Sequence, residues 1–353
     1  MTTDIQFSEV GGWGVVNLNR PKALNALTLD MVLAFHDQLQ EWADASHIQA
    51  VLIEGEGDKA FCAGGDVMAL LASVKNGDDN AWQFFHDEYM CNATIATYPK
   101  PYVALVDGIV MGGGVGVSVH GDFRVATDKT MFAMPETAIG LFPDVGGSYF
   151  LPRLHKGLGL YLGLTGARVR GYETVEAGVS THYVTQDQLP ALKENLLNIA
   201  FAGNASDAIK TVLDAAHSQG EATKVMPHLA EIEEIFGQAE TLDDVFSNLA
   251  NSDTDFAKET LDLLKTHSPS SMHVTFAAIK EGASKSITDV LRMELRLATR
   301  IVQLPDFSEG VTAKLLDKGR TPVWSPAEIS QVSVADIQSM FDTLDDKEFK
   351  WSD

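Results

Sequence analysis

The sequence has little cysteine, few basic residues and no long hydrophobic run. Cys62 and Cys91 are the two cysteines in 353 residues, which excludes a disulfide scaffold and favours a reducing compartment. The 26 lysines and arginines face 49 aspartates and glutamates, so the net charge is −23. Nucleic acid and anionic membranes are therefore poor partners, because both would be repelled at long range.

The most apolar run, residues 102–119, is broken by Asp107 and five glycines. It therefore predicts a strand, a turn and a buried helix, and not a membrane span. The first residues lack the basic flank and the apolar stretch of a signal peptide, so we expect a cytoplasmic protein. With 45% hydrophobic residues the chain has ample material for a packed core, in one large domain or in a main domain with an appendage.

The first half of the chain alternates between strand and helix patterns. Residues 5–10 and 13–19 predict a hairpin, and Thr28 can cap a helix that carries Met31, Phe35, Leu39 and Trp42 on one face. Short apolar runs at 50–54 and 103–106 are typical of buried parallel strands. Repeated strand, glycine turn and helix units predict an α/β fold with crossover helices.

From about residue 172 the pattern becomes helical, with helices expected near 272–279, 287–295 and 332–341. Much of the negative charge lies in the segment 201–265, away from the glycine-rich motifs. We therefore divide the chain into a core of residues 1–200 and a helical C-terminal region of residues 201–353.

Glycines cluster at residues 62–66, 112–114 and 146–147. A glycine at a strand end lets a backbone N–H group point into a cleft, because no Cβ blocks the approach. Two such groups aimed at one point would form an oxyanion hole, helped by the positive end of a helix. For each cluster taken alone, a tight turn or close helix packing is the favoured interpretation.

Several familiar catalytic motifs are missing. The chain has no G-x-S-x-G elbow, no phosphate-binding loop with its lysine, no H-E-x-x-H and no paired C-x-x-C, and its ten histidines lack metal-ligand spacing. These absences argue against serine-triad hydrolysis and zinc chemistry, and we predict neither a metal site nor a separate cofactor.

Two carboxylates lie among the remaining glycine-rich segments. Glu136 follows Pro135, and Asp144 follows Pro143 eight residues later. Burial in a cleft would raise their pKa values toward the range that suits acid–base catalysis. A surface carboxylate and a turn residue are the alternative interpretations.

Four segments in order, residues 19–27, 59–66, 108–114 and 135–136, resemble the enoyl-CoA hydratase/isomerase (crotonase) superfamily over about residues 5–190. The resemblance implies a crotonase-like spiral of ββα units that binds an acyl-CoA, with the amides of Gly65 and Gly113 holding the thioester oxygen. It also implies a homo-oligomer, a trimer or a pair of trimers. The residues implied to line the CoA arm and the substrate are Lys22, Ala23, Leu24, Ala63, Gly64, Asp66 and Gly112.

One position departs from that family's pattern. Its hydratases carry a glutamate two residues beyond the glycine triplet, where this chain has Gly116, and their other glutamate matches Glu136. The segments 143–147, 177–182, 306–311, 316–318 and 322–324 resemble instead the 3-hydroxyisobutyryl-CoA hydrolase branch. That resemblance implies a thioester hydrolase of valine degradation that needs no metal and no cofactor besides the CoA of its substrate.

In such a hydrolase Glu136 would attack the thioester carbonyl or activate water, and the sequence leaves both roles open. Asp144 would bind the substrate hydroxyl or the water, and could pass a proton to the departing thiolate. Two alternatives remain: a hydratase or isomerase that uses Glu136 and Asp144 as its pair, and a non-catalytic acyl-CoA-binding protein.

Overall fold

The computed structural model describes residues 3–350. The chain clusters into two compact units, each assembled from three segments. The first unit runs through Gly65 and adds Met90–Ala133 and Arg168–Pro227. The second unit contains Asp66–Tyr89, Met134–Ala167 and the chain from His228 onward. Each unit contains residues from both sides of residue 200, so the division into residues 1–200 and 201–353 stays a prediction.

Within residues 3–350, ten strands form two sheets, and all of them belong to the first unit. The six-stranded sheet has the order β1-β2-β3-β5-β7-β10, and the four-stranded sheet has the order β4-β6-β8-β9. Their bounds are β1 Ile5–Val10, β2 Trp13–Leu18, β3 Ala50–Gly55, β4 Ala60–Cys62, β5 Tyr102–Val106, β6 Ile109–Met111, β7 Phe123–Ala126, β8 Met131–Ala133, β9 Val169–Arg170 and β10 His182–Tyr183. Apart from the hairpin β1–β2 and the pair β8–β9, neighbouring strands are parallel.

Sixteen α-helices lie within the described residues. In the first half they are α1 Leu29–Asp44, α2 Val67–Asn76, α3 Asn80–Ala96, α4 Gly113–Gly116, α5 Gly147–Phe150, α6 Leu158–Thr165, α7 Glu173–Glu176 and α8 Leu189–Leu197. After residue 200 they are α9 Ala205–Ala216, α10 Leu229–Ile235, α11 Leu242–Asn251, α12 Asp255–Leu264, α13 Pro269–Gly282, α14 Ile287–Ile301, α15 Pro305–Val311 and α16 Val334–Ser339. No described residue after Tyr183 lies in a named strand, so the helical C-terminal region is confirmed.

The amphipathic pattern of α1 sets its orientation on the hairpin. The Thr28 side chain accepts a hydrogen bond from the amide of Met31 and so caps the helix as predicted. Trp42 on the buried face meets Phe7 of β1 edge to face, with 5.9 Å between the ring centroids. The indole also donates to Glu9, at 2.9 Å. The hairpin and the buried face of α1 are as the sequence predicts.

The core of the first unit lies between the six-stranded sheet and two helices. Apolar side chains of β2, β3, β5 and β7 pack against α8 and α9. Trp13 fixes the contact, because its buried indole N–H donates to the carbonyl of Leu196 at 2.8 Å. Burial of this apolar surface is the main stabilising contribution to the sheet.

The second unit is mainly helical, and α13 is its central element. This helix contacts α5, α6 and α14, and most of its residues are buried. Ser268 caps it by accepting from the amide of Ser271, and Pro269 occupies the first turn, where its missing N–H costs nothing. The neighbouring α14 carries a wide apolar face toward the core. Among the described residues, no helix has both the length and the apolar character needed to cross a membrane.

Candidate active site

In the first unit, two glycine loops follow neighbouring parallel strands. β4 pairs with β6, so the loop at Gly64 and Gly65 and the loop at Gly112 and Gly113 leave the sheet at the same edge. Within residues 3–350 no protein group accepts a hydrogen bond from the amide of Gly65 or Gly113. Both N–H groups are therefore available to a ligand.

The close approach of the two loops requires glycine. At Gly64 it is the backbone that favours glycine, because φ is +115°, which L side chains rarely adopt; a Cβ there would lie at an ordinary contact distance, 3.7 Å, from the amide nitrogen of Gly113. At Gly114, in α4, a Cβ would lie 2.2 Å from the carbonyl oxygen of Cys62. A side chain at Gly114 would therefore push α4 away from β4, and the two amides would separate.

The segment predicted to line the CoA arm is attached to the first of these loops. The chain makes a single 3₁₀ turn at Pro21–Ala23, and Leu24 then has φ +53°. The amide of Ala63 donates to the carbonyl of Leu24 at 3.0 Å, and that of Leu27 donates to Gly64 at 2.8 Å. Lys22, Ala23, Leu24, Ala63 and Gly64 are thus brought together, as their assignment to one substrate arm requires.

Asn25, which is fully buried, holds this segment in place. Its side-chain amide donates to the carbonyls of Glu56 and Ala60, and its oxygen accepts from the amide of Arg20. A surface cavity of about 260 Å³ opens beside it, lined by two basic residues, Lys22 and Lys59, and two acidic residues, Glu56 and Asp58.

Asp66 serves a different purpose in the structure. Its carboxylate accepts from the amide of Ala69 at 3.3 Å and caps α2, so it lies at the positive end of that helix. Its contact with substrate stays a prediction.

In the second unit, Glu136 opens a 3₁₀ turn, Glu136–Ile139, and is 6% exposed. The turn is anchored by Thr137, whose hydroxyl donates to the carbonyl of Leu164 at 3.0 Å. It closes at Gly140, where φ is +78° and a Cβ would lie 2.3 Å from the carbonyl oxygen of Asp306. One carboxylate oxygen of Glu136 has no protein partner, so it can accept a proton or attack a ligand.

Asp144, 5% exposed, is held by a tyrosine and by a strained turn. The hydroxyl of Tyr89 donates to its carboxylate at 2.6 Å. The next residue, Val145, has φ +53°, an uncommon conformation for a β-branched residue. Gly146 continues in the left-handed region at φ +82°, and the amide of Gly147 donates to the carbonyl of Asp144 at 2.7 Å.

Two further buried carboxyl groups lie in the second unit with Glu136 and Asp144: Glu88 on α3 and Glu294 on α14. Glu88 has one oxygen without a partner. Glu294 accepts from the amide of Gly146 at 2.6 Å and from that of Ser148 at 2.8 Å. The second unit therefore brings together Glu88, Glu136, Asp144 and Glu294, which we call the carboxyl cluster.

Burial raises every pKa in the carboxyl cluster, and the charge of Asp144 raises the other three further. For Asp144, desolvation outweighs the hydrogen bond from Tyr89 and raises the pKa to about 6. Desolvation, with the charge of Asp144 added, raises the pKa of Glu294 to about 8. The same two causes raise the pKa values of Glu88 and Glu136 well above the usual range. The cluster can therefore hold and exchange protons near neutral pH.

Sequence reasoning missed Glu88, Tyr89 and Glu294. A signal exists for Glu294, because it follows Val290 by four residues and precedes Ala298 by four, so a charge lies on an apolar helix face. In α3, buried polar residues interrupt the apolar pattern, and the helix itself escapes detection. Within residues 3–350, no group of three or more His, Cys, Asp or Glu side chains is placed to hold a metal ion.

Comparison with known proteins identifies the family. The sequence model described as Enoyl-CoA hydratase/isomerase matches residues 13–341. The chain belongs to the enoyl-CoA hydratase/isomerase family. Among solved structures, a carnitinyl-CoA dehydratase from Mycobacterium thermoresistibile is 38% identical, with a TM-score of 0.90 over 98% of both chains. An enoyl-CoA hydratase from Rhodobacter sphaeroides is 33% identical, with a TM-score of 0.90 over 99% of this chain and 100% of its own. The predicted crotonase-like α/β fold is confirmed.

Curated relatives in this family share more of the sequence. The mitochondrial 3-hydroxyisobutyryl-CoA hydrolase of Xenopus tropicalis is 46% identical over 97% of this chain and 90% of its own length. The protein of that name from Homo sapiens is 42% identical over 99% of this chain and 91% of its own. Because these relatives are named as mitochondrial, the prediction of a cytoplasmic protein is wrong.

Proposed function

We propose that this chain hydrolyses the thioester of a short, branched 3-hydroxyacyl-CoA, namely 3-hydroxyisobutyryl-CoA of valine degradation. The observation that carries the proposal is the carboxyl cluster, in which Glu136 has an unpartnered oxygen and a raised pKa. The names of relatives that are 42–46% identical support the same substrate. Gly116, at the position of the second hydratase glutamate, favours hydrolysis over addition of water to a double bond.

Gly65 and Gly113 would polarise the substrate. Their amides would donate to the thioester oxygen as negative charge develops on it, and each donor of this kind lowers the barrier by about 3 kcal/mol in other enzymes. Gly64 and Gly112 shape the two loops, while Lys22, Ala23, Leu24, Ala63 and Asp66 are assigned to the substrate arm.

Glu136 would act on the carbonyl carbon in its ionised form. It either attacks that carbon, so that the C–S bond breaks and an acyl anhydride forms for water to cleave, or it takes a proton from an attacking water. Asp144 would accept a hydrogen bond from the substrate hydroxyl or the water, and the proton that the attacking water releases would pass through it to the CoA thiolate. The reaction as proposed uses no metal and no separate cofactor, and a trimer or hexamer stays a prediction.

A second candidate is a hydratase or isomerase that works with Glu136 and Asp144. It is favoured by the names of the two solved structures that match with a TM-score of 0.90. A hydratase leaves the thioester intact, whereas a hydrolase liberates free CoA thiol. The product therefore distinguishes the two functions.

The test is free-thiol release from 3-hydroxyisobutyryl-CoA, measured beside the loss of conjugated-enoyl absorbance from crotonyl-CoA. We expect thiol from the first substrate and little change in the second. Glu136→Gln should lower thiol release at least about a hundredfold, because the amide can neither attack nor accept a proton, while acyl-CoA binding survives.

Rapid hydration of crotonyl-CoA without thiol from the hydroxyacyl substrate would overturn the proposal in favour of the hydratase. A Glu136→Gln protein that retains activity within a few fold would remove Glu136 from the reaction. Binding without turnover over a panel of acyl-CoAs would leave a non-catalytic acyl-CoA-binding protein.

A further inference from the structure

Glu294 is a buried carboxyl group that the proposed reaction does not use. It lies on α14 and is 0% exposed. Its two oxygens accept from the amides of Gly146 and Ser148, at 2.6 and 2.8 Å. A carboxyl group placed between two amides of one turn fixes the orientation of that turn at two points.

The turn that Glu294 holds begins at Asp144 and does not form easily by itself. Val145 and Gly146 are consecutive left-handed residues, with φ +53° and +82°. Glycine adopts this conformation freely, whereas a β-branched residue keeps it only where surrounding contacts enforce it. Contacts that enforce it include the backbone hydrogen bond from Gly147 to Asp144, those from Tyr149 and Phe150 to Gly146, and the two from the amides of Gly146 and Ser148 to Glu294.

We propose that Glu294 is a positioning residue: it holds the strained Asp144–Ser148 turn and thereby fixes the carboxylate of Asp144 for thioester hydrolysis. This inference rests on the proposed function. Glu294 would touch no reacting atom, and its effect would pass through the backbone of the turn to Asp144.

The charged groups around the turn support a role tied to Asp144. Glu88, Glu136 and Tyr89 face Asp144, and its charge contributes to the raised pKa of each of them. On α13, which packs against α5 and α14, the ionisable side chains are engaged elsewhere. His273 contacts the carbonyl of Ile329, Lys280 pairs with Glu240, and Glu281 pairs with Lys285.

The chain offers a matched control in its first unit. Glu173 is 1% exposed and accepts from three consecutive backbone amides, those of Lys224, Val225 and Met226. It performs the same backbone-holding task on a segment that carries no residue assigned to the reaction. All three amides donate to one oxygen of Glu173, so Glu173→Gln removes the carboxyl group but can keep that acceptor, whereas Glu294→Gln also loses one of its two acceptors. Glu173→Gln therefore shows what replacing a buried carboxyl group does by itself.

The experiment measures kcat and KM for thiol release from 3-hydroxyisobutyryl-CoA, with a melting curve for each variant. In Glu294→Gln one acceptor oxygen becomes an NH₂ group that faces an amide donor, so the turn loses one of its two fixed points. We expect kcat to fall at least about tenfold while KM stays within about threefold, and Glu173→Gln to lower the melting temperature without lowering kcat.

Relief of the strain provides a second measurement. Glycine adopts φ +53° without cost, so Val145→Gly makes the turn less dependent on Glu294. We expect the kcat loss caused by Glu294→Gln to be several times smaller in a chain that already carries Val145→Gly. If Glu294→Gln does not fold, Glu294→Asp, whose shorter carboxylate cannot reach both amides, takes its place in the same comparison.

Unchanged kcat in a folded Glu294→Gln protein would overturn the inference. An equal fall of kcat in Glu173→Gln would also overturn it, as would a kcat loss from Glu294→Gln that is no smaller in the chain carrying Val145→Gly. The unaltered chain is assayed first, which separates this outcome from failure of the proposed function. If that chain releases no thiol, the proposed function is wrong; if it does and the Glu294 variant matches it, the positioning role alone is wrong.

Discussion

At the scale of single residues, Tyr89 controls the charge of Asp144. Its hydroxyl donates a 2.6 Å hydrogen bond to a carboxylate that burial would otherwise protonate more readily. That donation favours the ionised form of Asp144 and opposes the desolvation that raises its pKa to about 6. The tyrosine is itself buried, so the hydrogen bond is shielded from water.

Tyr89→Phe should therefore move the acidic limb of the kcat/KM profile to higher pH, by about one unit. The phenyl ring keeps the packing but removes the donor, so the Asp144 carboxyl would lose its proton only at higher pH. The measurement is thiol release between pH 5 and 9. Tyr98→Phe, which removes a donor to the carbonyl of Leu39, should leave the profile in place. A Tyr89→Phe profile that coincides with that of the unaltered chain would contradict this role.

At the scale of elements, the contact between α4 and β4 determines where the two glycine amides lie. Gly114→Ala should lower stability by about 1–3 kcal/mol and reduce thiol release strongly, because its Cβ would lie 2.2 Å from the carbonyl oxygen of Cys62. Melting curves and the thiol assay together test this. Gly77→Ala is the control: φ is +67° there but no atom lies within 4 Å, so only the backbone cost applies. Full activity in Gly114→Ala would show that the two amides are not needed.

Some of these elements could be predicted from the sequence, and others could not. The hairpin, α1 and the buried strands follow from clear apolar periods and from the Thr28 cap. α3 has no such period, because buried polar residues such as Glu88 and Asn92 share the buried part of the helix with aromatic residues. Glu136 and Asp144 are predictable from their motif, whereas Tyr89 and Glu294 join the site through tertiary contacts. The local pattern of α14 indicates only that Glu294 lies on an apolar face, and not which groups it contacts.

At the scale of the whole molecule, the carboxyl cluster makes stability depend on pH in an unusual direction. The pKa of Glu294 is about 8 in the folded chain, against roughly 4.3 when unfolded. Between these values the folded chain keeps a proton that the unfolded chain releases, so stability falls as pH rises. Asp144 adds to this up to its folded pKa of about 6. For each of the two groups, the contribution of the retained proton to stability is fully present below the pKa of the unfolded chain and is lost above the pKa of the folded chain.

We therefore expect the melting temperature to fall between pH 5.5 and pH 8.5. Surface repulsion from a net charge of −23 acts in the same direction, but salt screens it, whereas the buried cluster is screened much less. The slope should persist in 0.5 M salt and become shallower in Glu294→Gln. A melting temperature that rises over this range would contradict the raised pKa values.

The alternation of the two compact units along the chain also sets an order of assembly during translation. Every residue of the first unit has been made once Pro227 is added, but the second unit waits for the segment that begins at His228. Asp144 and its strained turn are thus synthesised well before Glu294, by about ten seconds at typical elongation rates. For that interval the nascent chain lacks the Glu294 carboxyl group that accepts from the amides of Gly146 and Ser148 in the folded protein. On this basis the chain can become catalytically active only late in synthesis, after the last third of the chain has left the ribosome.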